Sequence, residues 1–218
     1  MASQLIAEKR FAIKLAEEAG KIIRENFFSG IKHGMKTRQK ADKTLVTKTD
    51  TDINDMVIKA VRKEFPNHGV LGEEKSDIRK RGRYTWVVDP LDGTTVFTLG
   101  IPVSVFSLAL TRDGIPVTGV VYDPFLQRLF SAEIYGGAFL NGNPINVSTN
   151  NKLEHSTVGL GYWRKAEFDL KPLQHKLQNA GVNVLQLGSL AYMGALVANG
   201  SFIALIHPAS MTYDSAAL

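Results

Sequence analysis

The sequence predicts a layered α/β (α+β) protein whose two halves meet near residue 150. Three observations carry this. Apolar stripes at helical spacing occupy residues 3–28 and the stretch after Asp50. Alternating segments broken by Asp-Gly, Asp-Pro and Gly-Gly turns fill residues 103–144. Beyond residue 151, helix-like and strand-like segments alternate again, with no internal repeat and no low-complexity linker.

Residues 3–28 read as an amphipathic helix with Leu5, Ala12, Ala16, Ala19, Ile23 and Phe27 at helical spacing. Residues 30–43 are basic, contain Gly30 and Gly34, and show almost no apolar period, so they read as a mobile loop. A second helix starts near Asp50, carries Ile53, Met56, Val57, Ala60, Val61 and Phe65 as its stripe, and stops at Pro66-Asn67-His68-Gly69. Val70-Leu71-Gly72 is a short strand ending at Glu73, and Trp86-Val87-Val88 is another that delivers Asp89. Residues 103–111 and 115–122 flank Asp113-Gly114 as a hairpin, and a third strand spans 128–134. Gly136-Gly137 and Asn141-Gly142-Asn143-Pro144 read as turns. Farther on, 173–180 is helical, 184–187 a strand, 189–199 a small-residue helix and 202–206 a buried strand.

Composition narrows the classes. The chain has 218 residues, 44% apolar and 22% charged, as a folded protein of one large or two small domains has. It has no cysteine, which excludes disulfides, thiol catalysis and Cys-based zinc sites and fits a reducing compartment. The opening MASQLIAEKR has no apolar signal core, and no stretch approaches the roughly 20 apolar residues of a membrane span. A cytoplasmic protein with no membrane partner is therefore expected. The net charge of +5 gathers at Lys32, Lys36, Arg38, Lys40, Lys43 and Lys48 and over residues 79–83. That basic surface suits a phosphorylated small molecule, or simply solvent. It suits nucleic acid less, because no aromatic side chains interleave to stack on bases.

Three acidic stations stand out: Glu73-Glu74, Asp89 with Asp92, and Asp214. The first two follow short apolar runs, and strand ends are where a rigid scaffold aims side chains into a cleft. Hard divalent cations take oxygen ligands, and carboxylates add neutralising charge. Between Asp89 and Asp92, Pro90 fixes a backbone torsion and helps a sharp turn, which would expose the Leu91 carbonyl as a further oxygen. Gly93 permits close backbone approach, and a helix starting after it would turn the Gly93 and Thr94 amides toward an anion. Taken singly, each station also reads as something plainer. Asp-Pro-Leu-Asp-Gly is a good surface turn, Glu73-Glu74 a solvated loop, and Asp50 a helix N-cap.

In order, V-T-K-T-D (46–50), L-G-E-E (71–74), W-V-V-D-P-L-D-G-T-T (86–95) and Y-D-S-A-A (213–217) resemble the inositol monophosphatases and their lithium-sensitive relatives. G-V-V-Y-D-P (119–124) and G-A-F-L-N-G (137–142) resemble bacterial members, so the likeness runs along nearly the whole chain. The resemblance implies an α-β-α-β-α sandwich of the sugar phosphatase type, here lacking its C-terminal end. Residues 1–150 would form a domain holding most metal ligands, and 151–218 a truncated second one supplying Asp214 and substrate contacts.

It also implies two to three Mg²⁺ ions and inhibition by Li⁺. Glu73, Asp89 and the Leu91 carbonyl would hold the first ion, Asp89, Asp92 and Asp214 the second, and Glu73 with water a weaker third. Thr94 and Asp50 would orient and deprotonate the attacking water, and the Gly93 and Thr94 amides would bind phosphate. The expected function is hydrolysis of a small phosphorylated metabolite, inositol 1-phosphate or a related polyol phosphate, by a homodimer. Histidinol phosphate and 3′(2′),5′-bisphosphate nucleotides are alternatives, and a weakened member that only binds is an alternative of another class. Val96 stands where relatives have Asn, Tyr213 where they have Trp, and His207 where some carry an acid that contacts inositol. His207 is thus a candidate substrate residue that weakens the specific inositol assignment. The chain stops at Leu218, four residues after Asp214, so a loosely held Asp214 is expected.

Overall fold

The computed structural model describes residues 2–40, 45–78, 82–161, 168–208 and 211–218. Lys43 and residues 79–81 of the basic clusters lie outside these. Helix α1 (Ala2–His33) runs beyond its apolar stripe into the segment that the sequence suggests is a loop. The chain then turns at Gly34 (φ +88°) and pairs β1 (Thr37–Gln39) antiparallel with β2 (Leu45–Thr47). The mobile-loop reading of 30–43 is corrected to that extent; residues 41–43 lie outside the described ones. β1 is exposed along its length, so no apolar period marks it, and pairing with β2 alone makes it a strand.

Thr47 ends β2 and caps α2 (Lys48–Glu64). Its hydroxyl accepts from the Thr49 N–H, and the Asp50 carboxylate accepts from the Thr47 N–H at 2.8 Å. Asp50 is therefore the returning arm of a capping box rather than the cap itself.

A seven-stranded sheet follows, ordered β3 (Gly69–Gly72), β4 (Tyr84–Asp92), β5 (Val105–Arg112), β6 (Ile115–Asp123), β7 (Arg128–Glu133), β8 (Gly137–Leu140) and β9 (Asn143–Ile145). β3 and β4 are parallel and the remaining neighbours antiparallel. A short helix, α3 (Thr94–Thr98), joins β4 to β5. Where the sequence shows only turns after residue 136, β8 and β9 form a further hairpin.

α1 and α2 cover one face, packing Ala16, Ile23, Ile53 and Val57 against Trp86, Val88 and Leu108. Burying each large apolar side chain contributes roughly 1.5–3 kcal/mol. The other face carries α5 (Leu190–Ala198), which rests on Val105, Val121 and Phe130, and α6 (Thr212–Ser215). Beyond α5 lies a parallel sheet ordered β11 (Asn183–Leu185), β10 (Thr157–Leu160), β12 (Ala204–Ile206), with α4 (Lys171–Asn179) against β11. Helix and sheet layers thus alternate, as the sequence predicts. β12 is half-buried rather than buried.

The segment holding Asp214 is tied down. Ala216 is buried on Val87 and Ala109, and Gly119 of β6 makes room for it: a Cβ there would stand 2.9 Å from the Ala217 backbone. Gly119→Ala is expected to lower stability by about 1–3 kcal/mol through overpacking, read from urea unfolding. Unchanged stability would mean that this segment is not docked on the sheet in solution.

Candidate active site

β3 and β4 run parallel and end together. The Glu73 N–H donates to the Val88 carbonyl at 3.2 Å, which brings Glu73 beside Asp89 at the carboxyl ends of both strands. Open α/β sheets form their clefts at such ends. β4 then does something that its spacing alone does not reveal. Between Asp89 and Asp92 it carries one residue more than β5 opposite, pairing Asp89 with Ser107 and Asp92 with Val105. Side chains alternate faces along a strand, so residues three apart ordinarily point opposite ways. The extra residue of this bulge cancels that, and Pro90, which has no N–H to give a ladder, is suited to it. Leu91 is driven into the α1–α2 core, and Asp89 and Asp92 come within electrostatic reach of each other.

Gly93 (φ +92°) ends the strand in a left-handed conformation that favours glycine, and α3 starts at once. The Thr94 hydroxyl lies 3.1 Å from Asp50 Oδ1 and 3.1 Å from the Leu91 carbonyl oxygen. Asp50 Oδ2 is held by the Thr47 N–H and hydroxyl, at 2.8 and 2.5 Å. Asp50 is fully buried, and burial pushes its carboxyl up despite the hydrogen bonds from Thr47 and Thr94.

Electrostatics define the centre. Asp89, 2% exposed, is pushed well above the usual carboxylate range by burial and then by the charges of Glu73, Asp92 and Asp214; the Leu91 N–H opposes this. Burial pushes Asp92 up to about 7, against hydrogen bonds from Ser189 and Ala191. Asp214 is raised by burial, and its Oδ2 accepts from the Met211 N–H at 2.8 Å. Lys40, which follows β1, reaches Glu73 and Glu74 at the edge of the cluster. Its ammonium lies 2.7 Å from Glu73 and 2.5 Å from Glu74. Burial works against the Lys40 charge, but those two carboxylates outweigh it and hold its pKa above the ordinary value. Glu73 is still pushed up, because burial and the Glu74 charge exceed what Lys40 returns.

The structure thus gathers Asp50, Glu73, Asp89, Leu91, Asp92, Gly93, Thr94 and Asp214. His207 follows β12, with its ring against Gly161 at the end of the three-stranded sheet. Among the described residues no group of three or more His, Asp or Glu side chains converges tightly enough to hold a metal ion as it stands. In chemistry the donor set fits a hard divalent cation. It offers crowded carboxylates and a backbone carbonyl, with the Lys40 ammonium as the stand-in charge. Lys40 and Ser189 carry no motif of their own and are legible only in three dimensions.

The pH dependence has a definite sign. The folded Asp92 carboxyl lies near 7 and its ordinary value is 3.8. Its contribution to stability is therefore full below the lower value and lost as pH rises through the higher one. Metal-free protein is expected to lose stability as pH rises from about 4 to about 7, and Asp92→Asn to flatten that slope in thermal unfolding. Stability that rose across this window through the Asp92 carboxyl would contradict the placement.

Residues 7–218 match the model of the inositol monophosphatase family. Inositol monophosphatase 1 of Solanum lycopersicum is 41% identical over 152 residues, 68% of this chain and 54% of that protein. A histidinol-phosphatase of Chlorobaculum parvum is 34% identical over 149 residues, 68% of this chain and 56% of that protein. The chain therefore spans little more than half the length of these curated relatives. The crystal structure of extragenic suppressor protein suhB from Bartonella henselae superposes with a TM-score of 0.90 at 27% identity, covering 97% of this chain and 82% of that one. Among the described residues no helix is long and apolar enough to cross a membrane.

Proposed function

The chain belongs to the inositol monophosphatase family, and we propose that it is a Mg²⁺-dependent phosphatase of a small phosphate monoester, inositol 1-phosphate or a related polyol phosphate. The observation that carries this reading is the buried Asp89 carboxylate crowded by Glu73, Asp92 and Asp214, with the Thr94–Asp50 pair beside it. Like charges so placed call for a divalent counter-ion. Glu73, Asp89 and the Leu91 carbonyl would hold one, Asp89, Asp92 and Asp214 a second, and Glu73 a weaker third. When bound, such ions supply charge neutralisation and a water that ionises near neutral pH.

The remaining work falls to the chain's own groups. The Thr94 hydroxyl donates to Asp50 and orients a water on its lone pairs; Asp50 takes the proton. The Gly93 and Thr94 amides receive phosphate oxygens, and Asp214 and His207 receive the alcohol part. Attack is in line, so positioning and charge stabilisation supply most of the catalysis. The reading includes a first domain over residues 1–150 and a second over 151–218. It includes a cytoplasmic setting, which the absence of cysteine supports. It also includes a homodimer, which the exposed Phe28, Ile31, Leu99 and Ile101 support, and inhibition by Li⁺.

The test is phosphate release from inositol 1-phosphate, histidinol phosphate and a 3′,5′-bisphosphate nucleotide in Mg²⁺, with and without Li⁺. The expected order places inositol 1-phosphate first. A preference for histidinol phosphate would shift the substrate toward that of the Chlorobaculum relative. Release from none of them by folded protein would leave a binding protein instead.

A further inference from the structure

We propose that Ser189 is a positioning residue for the Asp92 carboxylate, so that the second half of the chain aims a cation ligand of the first. This rests on the cation reading above. The Ser189 hydroxyl donates to Asp92 Oδ2 at 2.6 Å and the Ala191 N–H donates to the same oxygen at 2.7 Å, across 97 and 99 residues of sequence. Both side chains are buried. With Oδ2 taken by the start of α5, the carboxylate is held in one orientation relative to the second half of the chain. The backbone reinforces the tie. Two left-handed glycines key the segments together: a Cβ on Gly93 would meet the Gly188 carbonyl and Ser189 Cβ at 3.2 Å, and one on Gly188 would meet Val96 at 2.7 Å.

Ser189 is also the N-cap of α5, its oxygen accepting from the Tyr192 N–H at 3.3 Å. A merely structural role is therefore the competing account, and the variants must separate the two. Glycine at an N-cap costs a helix only a few tenths of a kcal/mol, yet it removes the donor to Asp92. Threonine keeps the hydroxyl for both tasks. The readout is calorimetric titration of Mg²⁺ into the metal-free 218-residue chain, with thermal unfolding of the same metal-free samples. Ser189→Gly is expected to weaken Mg²⁺ binding about 10–100-fold, as loss of a partner that orients a ligand does, and Ser189→Thr to restore it.

Unchanged Mg²⁺ affinity in Ser189→Gly, with or without lost stability, would overturn the positioning role while leaving the cation reading standing. Failure of Ser189→Thr to restore affinity would do the same. No Mg²⁺ binding by the unsubstituted chain would overturn both.

Discussion

Asp89→Asn is expected to remove nearly all phosphatase activity and, at the same time, to make the metal-free protein more stable. Asp89 is the ligand shared between two proposed cation positions. Its loss forfeits several kcal/mol of transition-state charge stabilisation, a drop in kcat/KM of about 10³-fold or more. The stability change has the opposite sign for the same reason. The carboxylate is buried among Glu73, Asp92 and Asp214, so its charge opposes folding until a cation arrives. Asparagine keeps the oxygen that accepts from the Leu91 N–H at 3.0 Å and discards the charge. One pKa unit of relief is worth about 1.4 kcal/mol, and a domain of this size gains roughly 2–4 °C per kcal/mol. Activity assay and thermal unfolding in chelator check both halves. A variant that was inactive and less stable would mean that Asp89 is a structural buried acid, not a cation ligand.

Asp50→Asn is expected to lower kcat about 10²–10⁴-fold, the range for loss of a general base, with Mg²⁺ affinity changed only a few-fold. Asp50 touches none of the crowded carboxylates through the contacts described above; its partners are Thr47 and Thr94. The capping box adds a cost of about 1 kcal/mol in stability, which unfolding measures separately. Because burial raises the Asp50 pKa, the unsubstituted protein should gain activity as pH rises through that value, and the variant should lack this limb. Thr94→Val should cost a similar factor, and the double variant little more, since the two residues act as one relay. Multiplying losses in the double variant would contradict a shared proton path.

These residues differ in how far the sequence revealed them. Glu73 and Asp89 were legible because each closes a short apolar run, and such runs announce strands whose ends face a cleft. Asp50 was legible as a helix-start residue, but its hydrogen bond to Thr94 spans 44 residues and had no local sign. Asp92 was legible as a candidate, whereas the bulge that turns it toward Asp89 was not, since a bulge depends on the register of β5 opposite. Lys40 read as one of several surface cations. It became the counter-charge of Glu73 and Glu74 only through the β1–β2 hairpin, whose exposed first strand has no hydrophobic signature. Ser189 was visible only as the start of a small-residue helix, because its partner lies in the other half of the chain. The expectation of a loosely held Asp214 failed for a comparable reason. Gly119 and Ala109, which let the 216–217 segment dock, sit in distant strands.

The central claim is that the acidic cluster works by taking up divalent cations for monoester hydrolysis. The most direct measurement is the rate of phosphate release from inositol 1-phosphate by chelator-treated protein as Mg²⁺ is added back. The account predicts no release in chelator and a saturable return with Mg²⁺ that Asp89→Asn does not show. Release that persisted in chelator, or that returned equally in Asp89→Asn, would contradict it.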